Sequence, residues 1–414
     1  MNSKDVSAES DKGIPKLRFP EFLGQPLHDV QLGDVTEEAS TRNGGKLAAA
    51  SVMGVRKEGG IVPMEERLVA GDISRYKLVR NDWFAYNPMR LNIGSIARWQ
   101  GGDEILVSPD YVVFRCSARA EPTALIPEYL DHFRSSRQWQ AFTNDSGDGG
   151  VRIRIYYRDL ARMQLLLPSA IEQHKIADCL SSIDALIAAE ADKLEALKDH
   201  KKGLMQRLFP AQGDTMPRLR FPEFRGTKGW EEMPLGQQAE LVSGLHLSPT
   251  QYQDTGEIPY FTGPSDFTNE PSSVTKWTEA AGSTAVAGDI LITVKGSGVG
   301  DLWHLTIPQV AMGRQLMAIR AVRCCTAFLY QYLTVKALRF KSLASGNLIP
   351  GLSRGDILGM LLSFPSLPEQ QSIGEALTSI DARIRAQSAR IAALKGHKGG
   401  LLQQLFPVAD EVYP

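Results

Sequence analysis

The chain has 414 residues, of which 43% are hydrophobic and 22% charged, and its formal net charge is −1. This composition excludes a wholly disordered protein, and no apolar run approaches the roughly 18 residues that a transmembrane helix requires. The balanced charge means that any contact with nucleic acid must come from local basic patches. Four scattered cysteines without a Cys-X-X-Cys pair argue against a disulfide framework or structural zinc and predict a cytoplasmic protein: Cys116, Cys179, Cys324 and Cys325.

Residues 1–14 are polar and lack the apolar stretch of a signal peptide, so we interpret them as a flexible tail. The motif PKLRFPEFLG then opens the first half at residues 15–24. Strand-like runs such as residues 105–116 follow between Gly-rich turns, and the pattern of residues 126–142 predicts an amphipathic helix. After a glycine-containing loop at residues 146–150 and a short apolar run, Pro168 precedes a long helical pattern.

The second half repeats this order at a nearly constant offset. Residues 217–226 match the opening motif in eight of ten positions, and residues 365–407 match residues 168–210 without gaps. A strand-like run at residues 288–296 and a predicted helix at residues 326–344 lie between the matched blocks, but this material barely matches the first half. The repeat is therefore either a duplication kept for packing or two copies of one device with different specificities.

These patterns predict an α+β fold in which two globular domains are joined by two long helices. The helices are expected to form an antiparallel coiled coil with pseudo-two-fold symmetry. The predicted boundaries are, in chain order, a tail at 1–14, a globular domain at 15–165, a helix at 166–210, a linker at 211–216, a second globular domain at 217–364, a helix at 365–407 and a tail at 408–414.

Apolar residues recur along both long helices at alternating spacings of four and three, which is typical of a coiled-coil seam. Two polar residues interrupt each seam: Glu190 and Lys201 in the first helix, Gln387 and Lys398 in the second. In an antiparallel pair, the position numbers of facing residues have a constant sum. A sum of 588 places Glu190 opposite Lys398 and pairs the other two polar positions in the same way. A sum of 581 would leave Glu190 and Lys201 opposite isoleucines, so we predict the first register.

No combination of residues forms a convincing catalytic site. The segment Asn87-Pro88-Met89-Arg90 resembles the Asn-Pro-Pro-aromatic loop of amino-methyltransferases, but Arg90 stands where the base-stacking ring belongs. The glycine-rich segment 296–300 lacks the GxGxxG spacing and is interpreted as a tight turn between strands. A Pro-Asp and Asp-X-Lys pattern imitates a nuclease motif, but its lysine, Lys201, lies on the helical seam. The seven histidines show no spacing typical of metal ligands.

Two stretches of the first half, residues 71–99 and 151–162, each carry a net charge of +3. Arginine together with amides and aromatic rings suits phosphate contact and recognition of base edges; the alternative is a solvated strand face with ordinary ion pairs. Arg152, Arg154 and Arg158 are expected to alternate along a strand and to share one face. The candidate DNA-binding residues are Arg75, Lys77, Arg80, Asn87, Arg90, Arg98, Arg152, Arg154, Tyr156 and Arg158 in the first half and Lys295, His304, Arg314, Gln315, Asn347 and Arg354 in the second.

The repeated blocks identify a family. PKLRFPEF and PRLRFPEF, the helix openings IEQHKIADCLSSID and PEQQSIGEALTSID, and the helix ends HKKGLMQRLFP and HKGGLLQQLFP resemble the specificity subunits of bacterial type I restriction–modification enzymes. The resemblance covers the frame of both halves. It implies that each divergent segment is a target-recognition domain for one half of a bipartite double-stranded DNA site. The helices would set the half-site centres on the order of 10–13 base pairs apart.

The resemblance also implies no enzymatic activity and no cofactor in this subunit. AdoMet is expected in methyltransferase subunits, which would dock in two copies, and ATP with Mg²⁺ in nuclease or translocase subunits where these are present. The family supplies no catalytic or metal-binding residue to carry over. The candidate DNA-binding residues therefore rest on charge and loop position alone.

Two other functions stay open at the level of sequence. A DNA-free coiled-coil scaffold would use its globular domains to bind other proteins, and salt-dependent retention of the assembled complex on DNA distinguishes this case. A self-contained DNA methyltransferase would bind AdoMet itself, and AdoMet crosslinking to the isolated chain distinguishes that case.

Overall fold

A computed structural model describes residues 14–65, 68–117, 124–145, 154–211, 213–279, 282–344 and 351–406. The chain divides into two compact units. Unit 1 comprises Met1–Glu190 together with Arg390–Pro414, and unit 2 comprises Ala191–Ala389. The helices are α1 (Leu32–Val35), α2 (Pro127–Phe133), α3 (Arg137–Asp145), α4 (Tyr157–Leu160), α5 (Ala170–Leu208), α6 (Thr326–Val335), α7 (Ala337–Ala344), α8 (Arg354–Leu358) and α9 (Leu367–Leu405). No helix in these described ranges combines the length and the apolar character needed to cross a membrane.

The strands of unit 1 are β1 (His28–Gln31), β2 (Thr36–Glu38), β3 (Met53–Arg56), β4 (Gly60–Pro63), β5 (Lys77–Val79), β6 (Phe84–Tyr86), β7 (Ile96–Arg98), β8 (Ile105–Val107), β9 (Val112–Cys116) and β10 (Gln164–Leu167). Those of unit 2 are β11 (Glu231–Pro234), β12 (Ala239–Ser243), β13 (Ile258–Phe261), β14 (Trp277–Thr278), β15 (Thr284–Val286), β16 (Ile290–Thr293), β17 (Leu302–His304), β18 (Gln309–Met312), β19 (Leu316–Ala321) and β20 (Leu361–Phe364). Helices and strands alternate irregularly in both units, which confirms the predicted α+β class.

The two units share a topology that their divergent sequences conceal. Unit 1 holds a four-stranded sheet in the order β2-β9-β6-β7, and unit 2 holds its counterpart in the order β12-β19-β16-β17. Each unit also pairs its first and last strands antiparallel, β1 with β10 and β11 with β20. Unit 2 adds the sheet β14-β13-β18-β15, whereas unit 1 adds the pairs β3-β4 and β5-β8. The duplication thus preserves a central sheet and varies what surrounds it.

Three elements predicted as continuous are each interrupted. The run at residues 105–116 forms β8 and β9, separated by a turn in which the Tyr111 amide donates to the Ser108 carbonyl over 3.0 Å. The helix predicted at 126–142 forms α2 and α3, because the Ser136 hydroxyl accepts from the Trp139 amide and starts a new helix. The helix predicted at 326–344 forms α6 and α7, which are separated at Lys336. In each case a local hydrogen bond or backbone turn overrides a continuous apolar pattern.

A buried ion pair ties the repeated opening motif to the start of each long helix. In unit 1 the Arg18 guanidinium donates to both carboxylate oxygens of Glu172, over 2.9 and 2.5 Å. In unit 2 Arg220 makes the same two bonds to Glu369, over 2.8 and 2.6 Å. Only 1% of Glu172 is exposed, and the hydrogen bonds to this carboxylate raise the pKa of Arg18. A fork-shaped pair of this kind fixes orientation as well as distance.

The glutamine that follows each of these glutamates completes the junction. The Gln173 amide donates to the carbonyls of Ala124 and Pro168 and accepts from the Ile126 amide, each over 2.9 Å. Gln370 repeats this arrangement in unit 2, where it accepts from the Cys325 amide and donates to the Pro365 carbonyl. The repeated Glu-Gln dipeptide therefore satisfies buried backbone groups at the point where sheet and helix meet.

The C-terminal end of a long helix completes the core of each unit: the end of α9 in unit 1 and the end of α5 in unit 2. Phe406, which follows α9, packs in the core of unit 1 with its ring centroid 5.2 Å from that of Tyr129. Phe209, which follows α5, stacks on Tyr332 in the core of unit 2 at 4.8 Å. The repeated Leu-Phe-Pro sequence at the helix ends is thus a core element of both units.

Ion pairs within each unit show that α5 and α9 run antiparallel and correct the predicted register. In unit 1 the Lys398 ammonium lies 2.5 Å from the carboxylate of Asp184, and Arg390 lies 2.8 Å from Glu190. These pairs have position sums of 582 and 580. In unit 2 Lys201 lies 2.6 Å from Asp381, again with a sum of 582. The predicted pairings at a sum of 588, Glu190 with Lys398 and Lys201 with Gln387, are therefore wrong.

The error has a simple physical origin. The prediction rejected a sum of 581 because it placed Lys201 opposite Ile380 and Glu190 opposite Ile391. Each of these isoleucines has a charged neighbour beside the seam, Asp381 and Arg390, which provides the missing partner. A long lysine or arginine side chain reaches from the seam to such a flanking position. Glu190 and Lys201 on the seam do form ion pairs. Their partners lie beside the seam, at positions that a pattern of seam residues alone does not include.

A double-mutant cycle tests this register. We expect Asp184→Asn and Lys398→Met to couple by about 0.5–1 kcal/mol in the free energy of unfolding, a value typical of partly exposed pairs. Urea denaturation of the full chain, followed by a probe in unit 1, measures it. The matched cycle between Glu190→Gln and Lys398→Met should be additive. Coupling in this second cycle and none in the first would restore the sum of 588.

A histidine distinguishes the helix junction of unit 1 from that of unit 2. The His132 ring lies 2.9 Å from the Ser181 hydroxyl and 3.9 Å from the carboxylate of Asp184. Burial and the nearby charge of Lys398 lower the pKa of His132, against the opposing effects of Asp184 and Asp131, and Arg134 lowers it further. In unit 2, Gln331 instead donates to Asp381 over 2.7 Å. The His132 position of unit 1 therefore titrates, whereas the corresponding glutamine of unit 2 does not.

We expect this histidine to make unit 1 sensitive to acid. Since its folded-state pKa lies below the ordinary value near 6.5, its contribution to stability is present above about pH 6.5 and is lost as the pH falls below it. His132→Gln, which installs the residue type of unit 2, should reduce the acid-induced fall in the unfolding temperature of unit 1. Thermal unfolding across this pH range measures the effect, with exposed His174→Gln as the control. Parallel pH profiles for the wild type and His132→Gln would contradict it.

Candidate nucleic-acid interface

The turn between β6 and β7 carries the Asn-Pro-Met-Arg segment. The Asn87 side chain accepts from the Met89 amide over 3.0 Å, and the Asn87 carbonyl accepts from the Arg90 amide over 2.9 Å. Pro88 is buried, whereas Met89 and Arg90 are exposed. The Asn87 side chain therefore helps to build the turn, and the turn presents Arg90 to solvent.

A second segment of unit 1 lies against this turn. The Ile155 amide donates to the Pro88 carbonyl over 3.0 Å, and Ile155 is fully buried. Its neighbours Arg154 and Tyr156 are exposed. Arg158 projects from α4 with 81% of its side chain exposed. The structure thus brings Asn87, Arg90, Arg154 and Tyr156 onto one surface, which we call the turn surface of unit 1, and Arg158 is exposed two residues further along the chain, 3.5 Å from Asp159.

The predicted strand through Arg154 and Arg158 is wrong. Residues 154–156 are not part of a strand, and α4 begins at Tyr157 with a capping interaction in which Asp159 accepts from the Tyr156 amide. The acidic residue three positions after Tyr156 starts a helical turn and overrides the alternating pattern. Arg152 lies outside the described residues.

The hairpin of β3 and β4 adds two cations that the sequence did not indicate. Arg56 and Lys57 are exposed at its tip. The Lys57 stem crosses Gly94, since a Cβ atom placed on Gly94 would lie 3.4 Å from it. The Ser95 hydroxyl also donates to the Val55 carbonyl over 2.9 Å. These contacts place Lys57 beside the β6–β7 turn, about 30 residues away in sequence, and no local motif signals this proximity.

Two candidates of the first half are buried and have structural roles. Lys77 donates to the Tyr111 carbonyl over 2.6 Å, and burial lowers its pKa. Arg98 is only 8% exposed and faces three carboxylates at 2.8, 2.5 and 3.5 Å: Asp82, Glu128 and Asp131. Both are wrong as solvent-facing DNA contacts, because the basic-aromatic alternation of this stretch is partly a packing pattern.

Arg75 and Arg80 are exposed on either side of strand β5, which pairs with β8 and is not a strand of the central sheet. The Arg75 carbonyl accepts from the Arg42 guanidinium over 2.7 Å. Arg80 pairs with Glu104 over 2.6 Å and lies over the Trp83 ring at 5.5 Å. These contacts hold both arginines on the β5 side of unit 1, so the structure does not bring them together with the turn surface.

Unit 2 presents an equivalent turn between β16 and β17. Here the Leu352 amide donates to the Val294 carbonyl over 2.9 Å, and Leu352 is related to Ile155 by the same 197-residue offset as the long helices. Lys295 and Arg354 are exposed on the two segments so joined. Gly296 and Gly300 adopt left-handed φ values of 92° and 87°, which agrees with the predicted tight turn.

The remaining candidates of unit 2 divide into two groups. Arg314 and Gln315 are exposed between β18 and β19, and the Gln315 carbonyl accepts from the Val294 amide over 2.7 Å. They therefore adjoin Lys295. His304 is half-buried against the Tyr330 ring, 5.4 Å between centroids, and burial and the charge of Arg385 lower its pKa. It serves packing, and Asn347 lies outside the described residues.

Within the described ranges, no three His, Cys, Asp or Glu side chains are grouped so as to hold a metal ion. The exposed faces of both units instead offer cations, amides and an exposed tyrosine on turns held by buried hydrogen bonds. Such an arrangement can contact phosphates and base edges.

Comparison with known proteins finds similar sequences. A family model for the "Type I restriction modification DNA specificity domain" matches residues 227–395. The inferred MjaX type I restriction enzyme specificity subunit of Methanocaldococcus jannaschii is 25% identical over 320 residues, which cover 75% of this chain and 74% of the relative. The chain is therefore similar to type I restriction–modification specificity subunits over most of its length. The MjaVIII specificity subunit of the same organism is 22% identical over 68% of this chain and 71% of its own length.

Solved structures show that other chains share this fold. The type I S subunit from M. genitalium superimposes with a TM-score of 0.64 at 15% identity, covering 95% of this chain and 99% of that one. A chain solved in work on complex assembly and conformational transition of the type I R-M system gives a TM-score of 0.54 at 21% identity, covering 91% and 97%. The frame predicted from the repeated blocks is therefore shared with these structures.

The turn surface leads to a prediction about how DNA binding depends on salt concentration. We expect Arg154→Ala to weaken DNA binding by the assembled complex and to lower the slope of log affinity against log salt by about one unit, as for one lost phosphate contact. Fluorescence anisotropy over a salt series measures both. Arg80→Ala, which removes an ion-paired arginine away from the turn, is the control. An unchanged slope in a folded Arg154→Ala protein would show that this surface faces away from DNA.

Proposed function

We propose that this chain is the DNA-recognition subunit of a type I restriction–modification complex and that each unit recognises one half of a bipartite double-stranded DNA site. It provides specificity and carries out no catalysis itself. One observation supports the proposal that each unit recognises its own half-site. Both units hold the same turn against the same neighbouring segment, yet expose different side chains there, Arg90 and Arg154 in one and Lys295 and Arg354 in the other.

The partners follow from the same proposal. Two methyltransferase subunits would dock on the two equivalent helix junctions, since a duplicated frame offers two equivalent surfaces. AdoMet would be bound by those subunits, and ATP with Mg²⁺ by nuclease or translocase subunits where the complex includes them. The near-neutral charge of the chain fits this division, because the phosphate contacts come from local surfaces.

A segment exchange tests the assignment of half-sites. Residues 25–165 would be replaced by the corresponding segment of a relative, with the ion pair of Arg18 and Glu172 retained. The two hydrogen bonds from Gln173 to this segment involve backbone groups, those of Ala124 and Ile126, and a donor with an aromatic residue at the position of Tyr129 would keep the contact with Phe406. We expect the new complex to methylate a site in which only one half has changed.

Methylation-sensitive sequencing of DNA from a host that carries the chain and its methyltransferase measures this outcome. The unmodified chain in the same host defines the original site. The reciprocal exchange in unit 2 should alter the other half. A site changed in both halves, or in neither, would contradict the assignment, and methylation without any sequence preference would contradict DNA recognition altogether.

A further inference from the structure

The β6–β7 turn exposes two large apolar side chains on an otherwise basic surface. Met89 is 44% exposed and Ile93 54% exposed, whereas Leu91 between them is 1% exposed and joins the core of unit 1. Exposed apolar residues are common when they stand alone. Here two of them flank one buried anchor on a single turn.

The turn is held firmly in this form. The Asn87 amide donates to the Ser95 carbonyl, the Ser95 amide donates to the Arg90 carbonyl, and the Gly94 amide donates to the Leu91 carbonyl, over 2.9 to 3.1 Å. Gly94 has a left-handed φ of 91°, which an L side chain rarely adopts. Hydrogen bonds and the buried leucine therefore fix the backbone that carries Met89 and Ile93.

Cations surround this apolar pair. Arg90 lies within the turn, Arg154 adjoins it through the bond of Ile155 to Pro88, and the Lys57 stem crosses Gly94. These positively charged side chains around Met89 and Ile93 form a rim that complements a polyanion. An apolar tip inside such a rim suits a surface that is charged outside and apolar within, as a DNA duplex is with its phosphates and stacked bases.

Unit 2 lacks this feature at the equivalent turn. Residues 294–301 are all described, and they hold Lys295, three glycines and a serine, while Val299 is only 5% exposed. The two units thus differ in whether their turn carries an apolar tip. The duplication conserves the residues that pack the frame in both units. An apolar tip that is present in only one unit therefore has a role related to DNA and not to packing of the frame.

We propose that Met89 and Ile93 insert at a base step of the half-site bound by unit 1 and unstack it, and that the turn of unit 2 makes no such insertion. This proposal rests on the proposed function. Partial unstacking by apolar side chains bends DNA and favours steps that deform easily. Unit 1 would accordingly recognise part of its half-site through deformability, and unit 2 would recognise its own through direct contacts.

The test uses the complex of the full chain with its methyltransferase and a duplex that carries the site mapped by methylation sequencing. The base analogue 2-aminopurine, which fluoresces when unstacked, is placed in turn at each position of both half-sites. A base extruded by the methyltransferase also gives a signal. We therefore expect the wild type to show an additional signal, in one half-site only, that Met89→Ala with Ile93→Ala removes.

The same double variant should bind on the order of tenfold more weakly with an unchanged salt slope, since it loses no phosphate contact. Met89→Leu with Ile93→Leu keeps apolar bulk and should restore the signal, which guards against misfolding of the alanine variant. Exposed Leu23→Ala, elsewhere in unit 1, should change nothing. An alanine variant with the wild-type signal and affinity would overturn the insertion and leave DNA recognition standing. If the wild-type complex showed no salt-dependent binding to DNA, the proposed function itself would be overturned.

Discussion

The buried pair of Arg18 with Glu172, and its copy in unit 2, Arg220 with Glu369, is the interaction on which the rest of the structure depends. A charge with almost no contact with water is tolerated only when its partner and its hydrogen bonds are complete. The pair therefore fixes the opening motif against the long helix in one orientation. The central sheet, the turn and its neighbouring segment are all positioned from this point. Because the same pair exists twice, equivalent frames support two turns that expose different side chains.

The frame could be predicted from the sequence because its contacts are made by residues that the duplication preserves. Arg18, Glu172 and Phe406 each have a matching residue in the other half, so the repeated blocks contain all three of them. The register could not be predicted in the same way. It depends on Asp184 and Asp381, which lie beside the seam, and a pattern restricted to seam positions assigns them no role.

The candidate interface was less accessible to sequence reasoning, for two physical reasons. The sequence does not show whether a positively charged side chain is buried. Lys77 and Arg98 are buried and have partners within unit 1. Proximity across strands is also not local. Lys57 belongs to the interface only because the β3–β4 hairpin packs against Gly94. Arg90 was correctly predicted to lie on an exposed loop, whereas Arg154 is exposed on a loop and not on the predicted strand. Their joining through Pro88 and Ile155 is a tertiary contact.

The closure of unit 1 by Phe406 has a consequence for how the protein is made. Unit 2 is a single continuous segment, Ala191–Ala389, so its core needs no residue that is synthesised after Ala389. Unit 1 begins the chain but needs the last turns of α9, and its core stays open until Phe406 has left the ribosome. The first domain to be synthesised is thus the last to be finished. During that interval its apolar core is exposed to solvent, and chaperones in the cell would be expected to act on it.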